Sequence, residues 1–242
     1  MFGLRGYLLM SSDALLIFSD VWKKYSRAEA FHRSIREDLS CFLRSDLNLR
    51  NKDEFWALKG ANFSLHPGEC VGLTGPNGAG KSTILKLVAR VTSPSSGDIR
   101  QTAKVAPLIE VGAGFHPDLT GRQNIYMNGT IIGLSLSDIR KQMTSIIDFS
   151  ELAEFIDTPV KKYSSGMYLK LAVAIAFHSP AKILLVDEIL SVADELFRNK
   201  CLERIRRFCE AGGGVVLVSH DQRILNSVTD RTIRLVSGEI VS

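Results

Sequence analysis

The stretch of sequence that decides the fold reads Gly75-Pro76-Asn77-Gly78-Ala79-Gly80-Lys81-Ser82. It has the pattern G-x-x-x-x-G-K-[ST], and it lies between an apolar run at 70–73, predicted to be a strand, and a predicted helix at 81–91. Glycines let backbone N–H groups curl around an anion without clashes from Cβ atoms, and the N-terminus of the following helix adds the positive end of its dipole. This setting favours a phosphate-binding loop over a chance glycine-rich turn.

The residues of this loop have separate tasks in holding a nucleotide. Lys81 is placed to reach the β- and γ-phosphates, and the hydroxyl of Ser82 to ligate Mg²⁺. We therefore predict that ATP and Mg²⁺ bind here. The predicted nucleotide contacts are Gly75, Pro76, Asn77, Gly78, Ala79, Gly80, Lys81, Ser82 and Thr83.

A second motif places two carboxylates after a buried strand. The sequence Ile183-Leu184-Leu185-Val186-Asp187-Glu188 combines four apolar residues with a pair of acids. Ligands of open α/β sheets lie beyond the carboxyl ends of the strands. On its own the pair could be solvated loop acids. Together with the phosphate loop it predicts that Asp187 holds Mg²⁺ through water and that Glu188 polarises the attacking water.

The composition is that of an ordinary globular α/β protein. Of 242 residues, 45% are apolar and 23% are charged, and the net charge is +4. Lysine and arginine are spread along the chain, so no nucleic-acid surface is indicated. The four cysteines, Cys41, Cys70, Cys201 and Cys209, have no close pairing, which argues against a zinc site and fits a reducing compartment.

No segment is predicted to cross a membrane. The most apolar stretch, 169–190, contains several charged or polar residues and a proline that would be costly in hydrocarbon. The apolar start at 1–10 contains Arg5 and is too short for a signal peptide. A protein with these features would need another molecule to hold it at a membrane.

The pattern of apolar runs predicts a single α/β domain with an inserted lobe. Residues 14–116 and 180–242 are predicted to form a core with a mixed β-sheet and an antiparallel β edge, and 117–179 a helical lobe. Predicted core strands lie at 14–21, 61–66, 70–73, 98–109, 183–186 and 214–218, with a helix at 193–209 and a closing hairpin at 231–236 and 239–241.

The segment 26–54 differs from the rest in its charge. Within it Phe31, Ile35, Leu39 and Phe42 follow one another at spacings of four, four and three residues, which predicts an amphipathic helix. Such a helix either packs on its own domain or presents a surface to a partner or to lipid headgroups.

A third motif separates this chain from other phosphate-loop proteins. Tyr163-Ser164-Ser165-Gly166-Met167 precedes an apolar helix, and a Ser-Ser-Gly turn at a helix N-terminus is either an ordinary N-cap or a second anion cradle. The segment resembles the signature motif of ATP-binding cassette (ABC) proteins, in the variant form of polysaccharide-export ATPases. The stretches 110–117, 119–126 and 187–194 also resemble that subfamily, and the likeness extends from about 15 to 237.

The resemblance implies an ABC-type nucleotide-binding domain whose ATP sites form between two copies. Two subunits would sandwich two ATP molecules head to tail, with Ser164, Ser165 and Gly166 of one contacting the γ-phosphate bound to Lys81 of the other. Asp194 is similar to the D-loop aspartate at the dimer interface, and His220 to the switch histidine that contacts the γ-phosphate.

The resemblance also covers the base and the metal. Tyr25 is similar to the aromatic residue that stacks on adenine, with Trp56 as a competitor. Glu110 stands where most cassettes have a glutamine that touches Mg²⁺ and the permease, so Glu110 is a candidate Mg²⁺ ligand whose added negative charge leaves that role open. An extra C-terminal sugar-binding domain, which some members carry, is not expected in this chain.

The resemblance implies an ATPase that powers export of a polysaccharide or lipid-linked glycan through a separate multispanning permease. It would sit as a peripheral protein on the cytoplasmic side of the membrane. Other transporter classes, a soluble cassette ATPase acting on nucleic acid or ribosomes, and a small-molecule phosphotransferase are the alternatives. The variant signature and Glu110 disfavour other transporter classes. The absence of a second cassette disfavours a soluble cassette ATPase, and the presence of a signature motif disfavours a phosphotransferase.

Overall fold

The computed structural model describes residues 13–26, 54–108, 114–188 and 193–241. The strands are β1 Leu16–Ser26, β2 Glu54–Leu65, β3 Cys70–Thr74, β4 Ser96–Gln101, β5 Val105–Leu108, β6 Ile183–Val186, β7 Gly214–Val218, β8 Arg231–Val236 and β9 Glu239–Ile240. The α-helices are α1 Lys81–Val88, α2 Gly121–Ile131, α3 Leu136–Ser150, α4 Ser165–Phe177, α5 Glu195–Glu210 and α6 Gln222–Val228. The predicted amphipathic helix with Phe31, Ile35, Leu39 and Phe42, and the candidate ligand Glu110, lie outside the described residues.

The strands form two sheets. The larger has six strands in the order β5-β6-β7-β3-β8-β9, parallel except for β9, which runs antiparallel to β8. The smaller is antiparallel, in the order β2-β1-β4. This arrangement confirms the predicted fold class, a mixed α/β core with an antiparallel edge.

The central strands owe their position to their composition. Every residue of β6 and β7 is buried, as expected for a parallel strand covered on both faces. Because β3, β6 and β7 are parallel, their carboxyl ends lie at one edge of the sheet. We call this edge the carboxyl edge; the loops that follow these three strands meet there.

The helices α2, α3 and α4 pack around an apolar cluster of their own, which includes Ile125, Ile139 and Ile146. Helix α4 is shared: Leu171 contributes to this cluster, whereas Val173 contributes to the cluster beneath β6 and β7. An apolar helix buried on several faces is the element that joins the helical region to the sheet.

Some boundaries differ from those predicted. Helix α1 ends at Val88 and not at 91, because Arg90 adopts a left-handed conformation with φ 58°. The β-prone run at 98–109 divides into β4 and β5, which belong to different sheets. Strand β2 begins at Glu54, earlier than the predicted 61, because β1 continues to Ser26 and pairs with it along this length.

We predict that His178, which follows α4, makes folding stability depend on pH. Its Nδ1 lies 2.7 Å from the carbonyl of Ala174 and its Nε2 lies 2.9 Å from the hydroxyl of Ser145. Burial lowers the pKa of the ring below its ordinary value of 6.5. Because the folded-state pKa is lowered, the unfolded chain takes up the proton first as the pH falls. The contribution of His178 to folding stability is therefore fully present above about pH 6.5 and is lost as the pH falls towards the folded-state pKa.

Urea unfolding of the parent and of His178→Gln at pH 7.5 and pH 5.5 measures the effect. The parent should lose more stability than the variant between the two pH values, since the other histidines are common to both proteins. An equal loss in the two proteins would show that His178 contributes nothing to the pH dependence.

Candidate functional site

The predicted catalytic and phosphate-binding residues meet at the carboxyl edge. The loop at 75–80 follows β3, Asp187 and Glu188 follow β6, and His220 follows β7 with one residue between. A cavity of about 280 Å³ opens there. Its lining residues are Tyr25, Phe55, Ala57, Asn77, Gly78, Ala79, Gly80, Lys81, Ser82, Thr83 and Glu188.

Two glycines fix the path of the phosphate loop. Gly75 has φ 138°, and a Cβ at this position would lie 2.2 Å from the carbonyl oxygen of Leu235. Gly80 has φ 111°, and its Cβ would lie 2.6 Å from the carbonyl oxygen of Ala57. Only residues without a side chain let the loop pass this close to its neighbours. The loop then delivers the N-terminus of α1, which has no side-chain cap, to the cavity.

The ammonium group of Lys81 is held inside the loop. The residue is only 7% exposed, and its Nζ donates to the carbonyls of Gly75 at 2.7 Å and Pro76 at 3.1 Å. A buried cation is tolerated only when it has such partners. The loop therefore keeps a positive charge at the cavity wall, where a phosphate would meet it.

The two carboxylates after β6 have different surroundings. Asp187 Oδ1 accepts a hydrogen bond from the backbone N–H of Glu188 at 2.9 Å. Glu188 Oε1 lies 2.7 Å from His220 Nε2, and both side chains are about half exposed. His220 thus orients the carboxylate that faces the cavity. The predicted pair Glu188 and His220 is brought together by the adjacent strands β6 and β7.

The donor set at the cavity fits a magnesium ion bound together with phosphates. Ser82 offers a hydroxyl and Asp187 a carboxylate, which are the hard oxygen ligands that Mg²⁺ takes. No cluster of three or more histidine, cysteine, aspartate or glutamate side chains able to hold a metal occurs among the described residues. Mg²⁺ here would complete its coordination with phosphate oxygens and water, as it usually does at nucleotide sites.

Aromatic side chains form one end of the cavity. Tyr25 and Phe55 are direct partners in the β1–β2 ladder, with ring centroids 6.0 Å apart. Trp56, the competitor for the base, packs edge-on against Trp22 at 5.5 Å and does not line the cavity. Adjacent residues of a strand point to opposite faces, so Phe55 faces the cavity and Trp56 does not.

The predicted signature residues lie elsewhere. Ser164 is the N-cap of α4, and its hydroxyl accepts a hydrogen bond from the N–H of Met167 at 3.2 Å. Ser164, Ser165 and Gly166 are all exposed, and none of them lines the cavity of their own chain. A Cβ at Gly166 would meet only the Ser164 hydroxyl, at 3.9 Å.

Asp194 has two partners within its own chain. As N-cap of α5, its Oδ1 accepts from the N–H of Phe197 at 2.8 Å, and its Oδ2 lies 2.8 Å from Lys170 Nζ. The hydrogen bond from Lys170 holds the pKa of Asp194 below its usual value. The N-cap and the ion pair together fix this side chain.

Sequence reasoning missed Phe55 and Ala57 as cavity residues. The signal that identifies Phe55 is its register opposite Tyr25, which depends on pairing two strand ends that are separated by residues 27–53. Strand register across such a separation is not visible in a local sequence pattern.

Comparison with known proteins identifies the family. Residues 58–191 match the ABC transporter family. An O-antigen export system ATP-binding protein of Klebsiella pneumoniae is 39% identical over 221 residues, which cover 91% of this chain and 89% of that protein. One of Myxococcus xanthus is 42% identical over 87% of this chain but only 48% of its own length. A teichoic acids export ATP-binding protein of Lactococcus lactis is 40% identical over 80% of this chain and 41% of its own.

Solved structures show the same fold. The ATP-binding subunit of an ABC transporter superposes with a TM-score of 0.77 at 21% identity, covering 94% of this chain and 88% of that one. A dimeric ATP-binding cassette with bound ADP and phosphate gives 0.74 at 22% identity, with 94% and 97% covered. Within the described part of this chain, the helices are too short or too polar to cross a bilayer.

We predict that Phe55→Ala weakens ATP binding by about tenfold, because stacking of a base on an aromatic ring contributes roughly 1–3 kcal/mol. Trp56→Ala is the matched control, since it removes a large aromatic from the neighbouring position on the other face. Calorimetric titration with ATP and with inorganic triphosphate, which has no base, separates stacking from phosphate contacts. The expected loss is confined to ATP and to Phe55→Ala. Two results would contradict a role for Phe55 at the base. One is that Phe55→Ala and Trp56→Ala weaken ATP binding equally, and the other is that Phe55→Ala weakens triphosphate binding as much as ATP binding.

Proposed function

The chain belongs to the ABC transporter family, and from this membership we propose that it hydrolyses ATP to power export of a polysaccharide or lipid-linked glycan. The observation that carries the proposal is that the phosphate loop and Glu188 line one cavity, with His220 in contact with Glu188. The glycan is proposed because the relatives named above are O-antigen and teichoic acid export proteins.

The proposed chemistry is phosphoryl transfer to water by positioning and charge stabilisation. Lys81 and the N-terminus of α1 lie against the β- and γ-phosphates. Glu188, oriented by His220, holds the attacking water and accepts its proton. Ser82, and Asp187 through water, would hold Mg²⁺, which would supply further positive charge on the phosphate oxygens.

We propose that the site is completed by a second copy of the chain. The exposed turn at Ser164, Ser165 and Gly166 lies apart from the cavity of its own chain, and the first N–H groups of a helix, which have no partner within the helix, suit the γ-phosphate held by another copy. Two copies arranged head to tail would place one such turn over each ATP, with Asp194 at the interface.

The remaining partners follow from the transport role. We propose that a multispanning permease passes the glycan and holds this subunit on the cytoplasmic side of the cell membrane as a peripheral protein. No nucleic acid is required. In the proposed division of the chain, 117–179 form the helical lobe, and 14–116 with 180–242 form the core that carries the cavity.

We predict that Glu188→Gln keeps ATP affinity but loses hydrolysis. Glutamine has nearly the same shape but is a poor base, and loss of a positioned general base costs about 10²–10⁴-fold in rate. Unhydrolysed ATP would then hold two chains together. Size-exclusion chromatography with Mg²⁺-ATP should show a nucleotide-bound dimer, and the same experiment with ADP should show a monomer.

A second substitution tests the contribution of the partner. Gly166→Glu adds a negative side chain that meets little in its own chain but would oppose the partner's γ-phosphate. In the Glu188→Gln background it should abolish the dimer while each chain still binds ATP. Hydrolysis by Glu188→Gln at the parent rate would remove Glu188 from the catalytic role. Tight ATP binding by a protein that remains monomeric at high concentration would refute the two-chain site.

A further inference from the structure

Four charged side chains connect the end of α3 to two parts of the proposed dimer interface, the helix that carries the signature turn and Asp194. Glu151 follows the last residue of α3, Lys170 is in α4, and Asp194 and Lys200 belong to the start and the second turn of α5. They form one continuous chain of ion pairs. None of them lines the ATP cavity.

Lys170 is the centre of this chain. Its Nζ lies 2.7 Å from Glu151 Oε2 and 2.8 Å from Asp194 Oδ2, and its side chain is only 20% exposed. The ammonium also lies 5.1 Å from the ring centroid of Phe197, on the first turn of α5. Because Lys170 follows Gly166 by one helical turn, the same ammonium joins the signature turn to Asp194.

Glu151 is held in place from the other side. Its Oε1 lies 3.2 Å from Lys200 Nζ, which also donates to the backbone carbonyls of Asp148 and Phe149 at the end of α3. Although burial acts in the opposite direction, hydrogen bonds from Lys170 and Lys200 hold the pKa of Glu151 below its usual value. The carboxylate is therefore charged at neutral pH, and its two oxygens face different lysines.

The backbone conformation of Glu151 indicates that a glutamate is kept here for its contacts, although another residue would suit the turn better. This residue is the C-cap of α3 and has φ 60° and ψ 28°, in the left-handed region. Glycine or asparagine is the usual residue at such a position, because a larger L-residue is strained there. Glycine would favour the turn but could not reach Lys170.

We infer that Glu151 is a positioning residue that acts through Lys170 to hold Asp194 and the signature turn as one rigid surface for the partner chain. The inference rests on the proposed two-chain ATP site. In the free chain the ion pairs fix the D-loop aspartate relative to the N-terminus of α4. Asp194 and the signature turn must contact the partner at the same time. Because the ion pairs already order them in the free chain, association does not have to order them, and the dimer is stronger.

The test separates this role from a contribution to stability. In the Glu188→Gln background, Glu151→Gly removes the carboxylate and relieves the left-handed backbone, so the chain should unfold at the same temperature as its parent or higher. In the presence of Mg²⁺-ATP, the protein concentration at which half of the chains are dimeric should nevertheless rise about tenfold. A change of this size is within the usual range of coupling between sites. ATP binding by the single chain should not change.

Two further variants make the result specific. Glu151→Gln keeps the length of the side chain but not its charge, and it should weaken the dimer similarly. Asp157→Asn is the matched control: it breaks the exposed ion pair of Asp157 with Arg122, at 2.8 Å, in the same helical region but without a link to Asp194. It should leave the dimer unchanged.

The outcomes distinguish a failure of the two-chain site from a failure of the positioning role of Glu151. A Glu188→Gln parent that forms no ATP-dependent dimer overturns the two-chain site and this inference with it. If the parent dimerises and Glu151→Gly dimerises equally well, only the positioning role of Glu151 is overturned. The positioning role is also overturned if the strength of dimerisation correlates with the unfolding temperature across all the variants.

Discussion

The close approach of Gly75 to the backbone of β8 is the constraint on which the site depends. A Cβ at Gly75 would lie 2.2 Å from the carbonyl oxygen of Leu235, so the chain can turn from β3 into α1 only because this residue has no side chain. That turn sets where α1 begins. The beginning of α1 places Lys81 and the first N–H groups of the helix at the carboxyl edge, where Glu188 lines the same cavity. A side chain at Gly75 would force the loop away from β8 and would move Lys81 and the start of α1 with it.

Helix α4 carries this arrangement beyond the cavity. Its apolar residues pack on one side against the cluster beneath β6 and β7 and on the other against α2 and α3. A helix packed from both sides cannot slide without opening a cavity in at least one cluster, and protein interiors resist such voids. The exposed Ser164 cap at its N-terminus is therefore held at a fixed distance from the sheet, although no residue of that turn touches the sheet's own cavity.

The sequence predicted the parts of the site whose signals are local. The phosphate loop, the strand before Asp187 and the hairpin at β8 and β9 are each contained in one short segment, and the family likeness supplied Tyr25 and His220. Phe55 was missed because its position depends on the register of β2 against β1. Glu151 was missed because nothing in its neighbourhood distinguishes a glutamate that ends a helix in a left-handed conformation from an ordinary surface acid. In both cases the information lies in contacts between segments far apart in the chain.

Two charged groups of the site have partners within the chain itself. Lys81 is bonded to two carbonyls of its own loop, and Glu188 lies against His220. These contacts avoid unpaired charge where Lys81 is buried, which would otherwise destabilise the free chain. Bound phosphate would give the buried ammonium of Lys81 an anionic acceptor in place of two neutral carbonyls, and because charge-assisted hydrogen bonds are the stronger ones, the exchange favours binding. In the proposed two-chain site, the N–H groups beside Ser164 of the second copy meet the γ-phosphate on the side away from Lys81, so its charge is neutralised from both sides only in the dimer. On the proposed mechanism, hydrolysis therefore waits for the second chain.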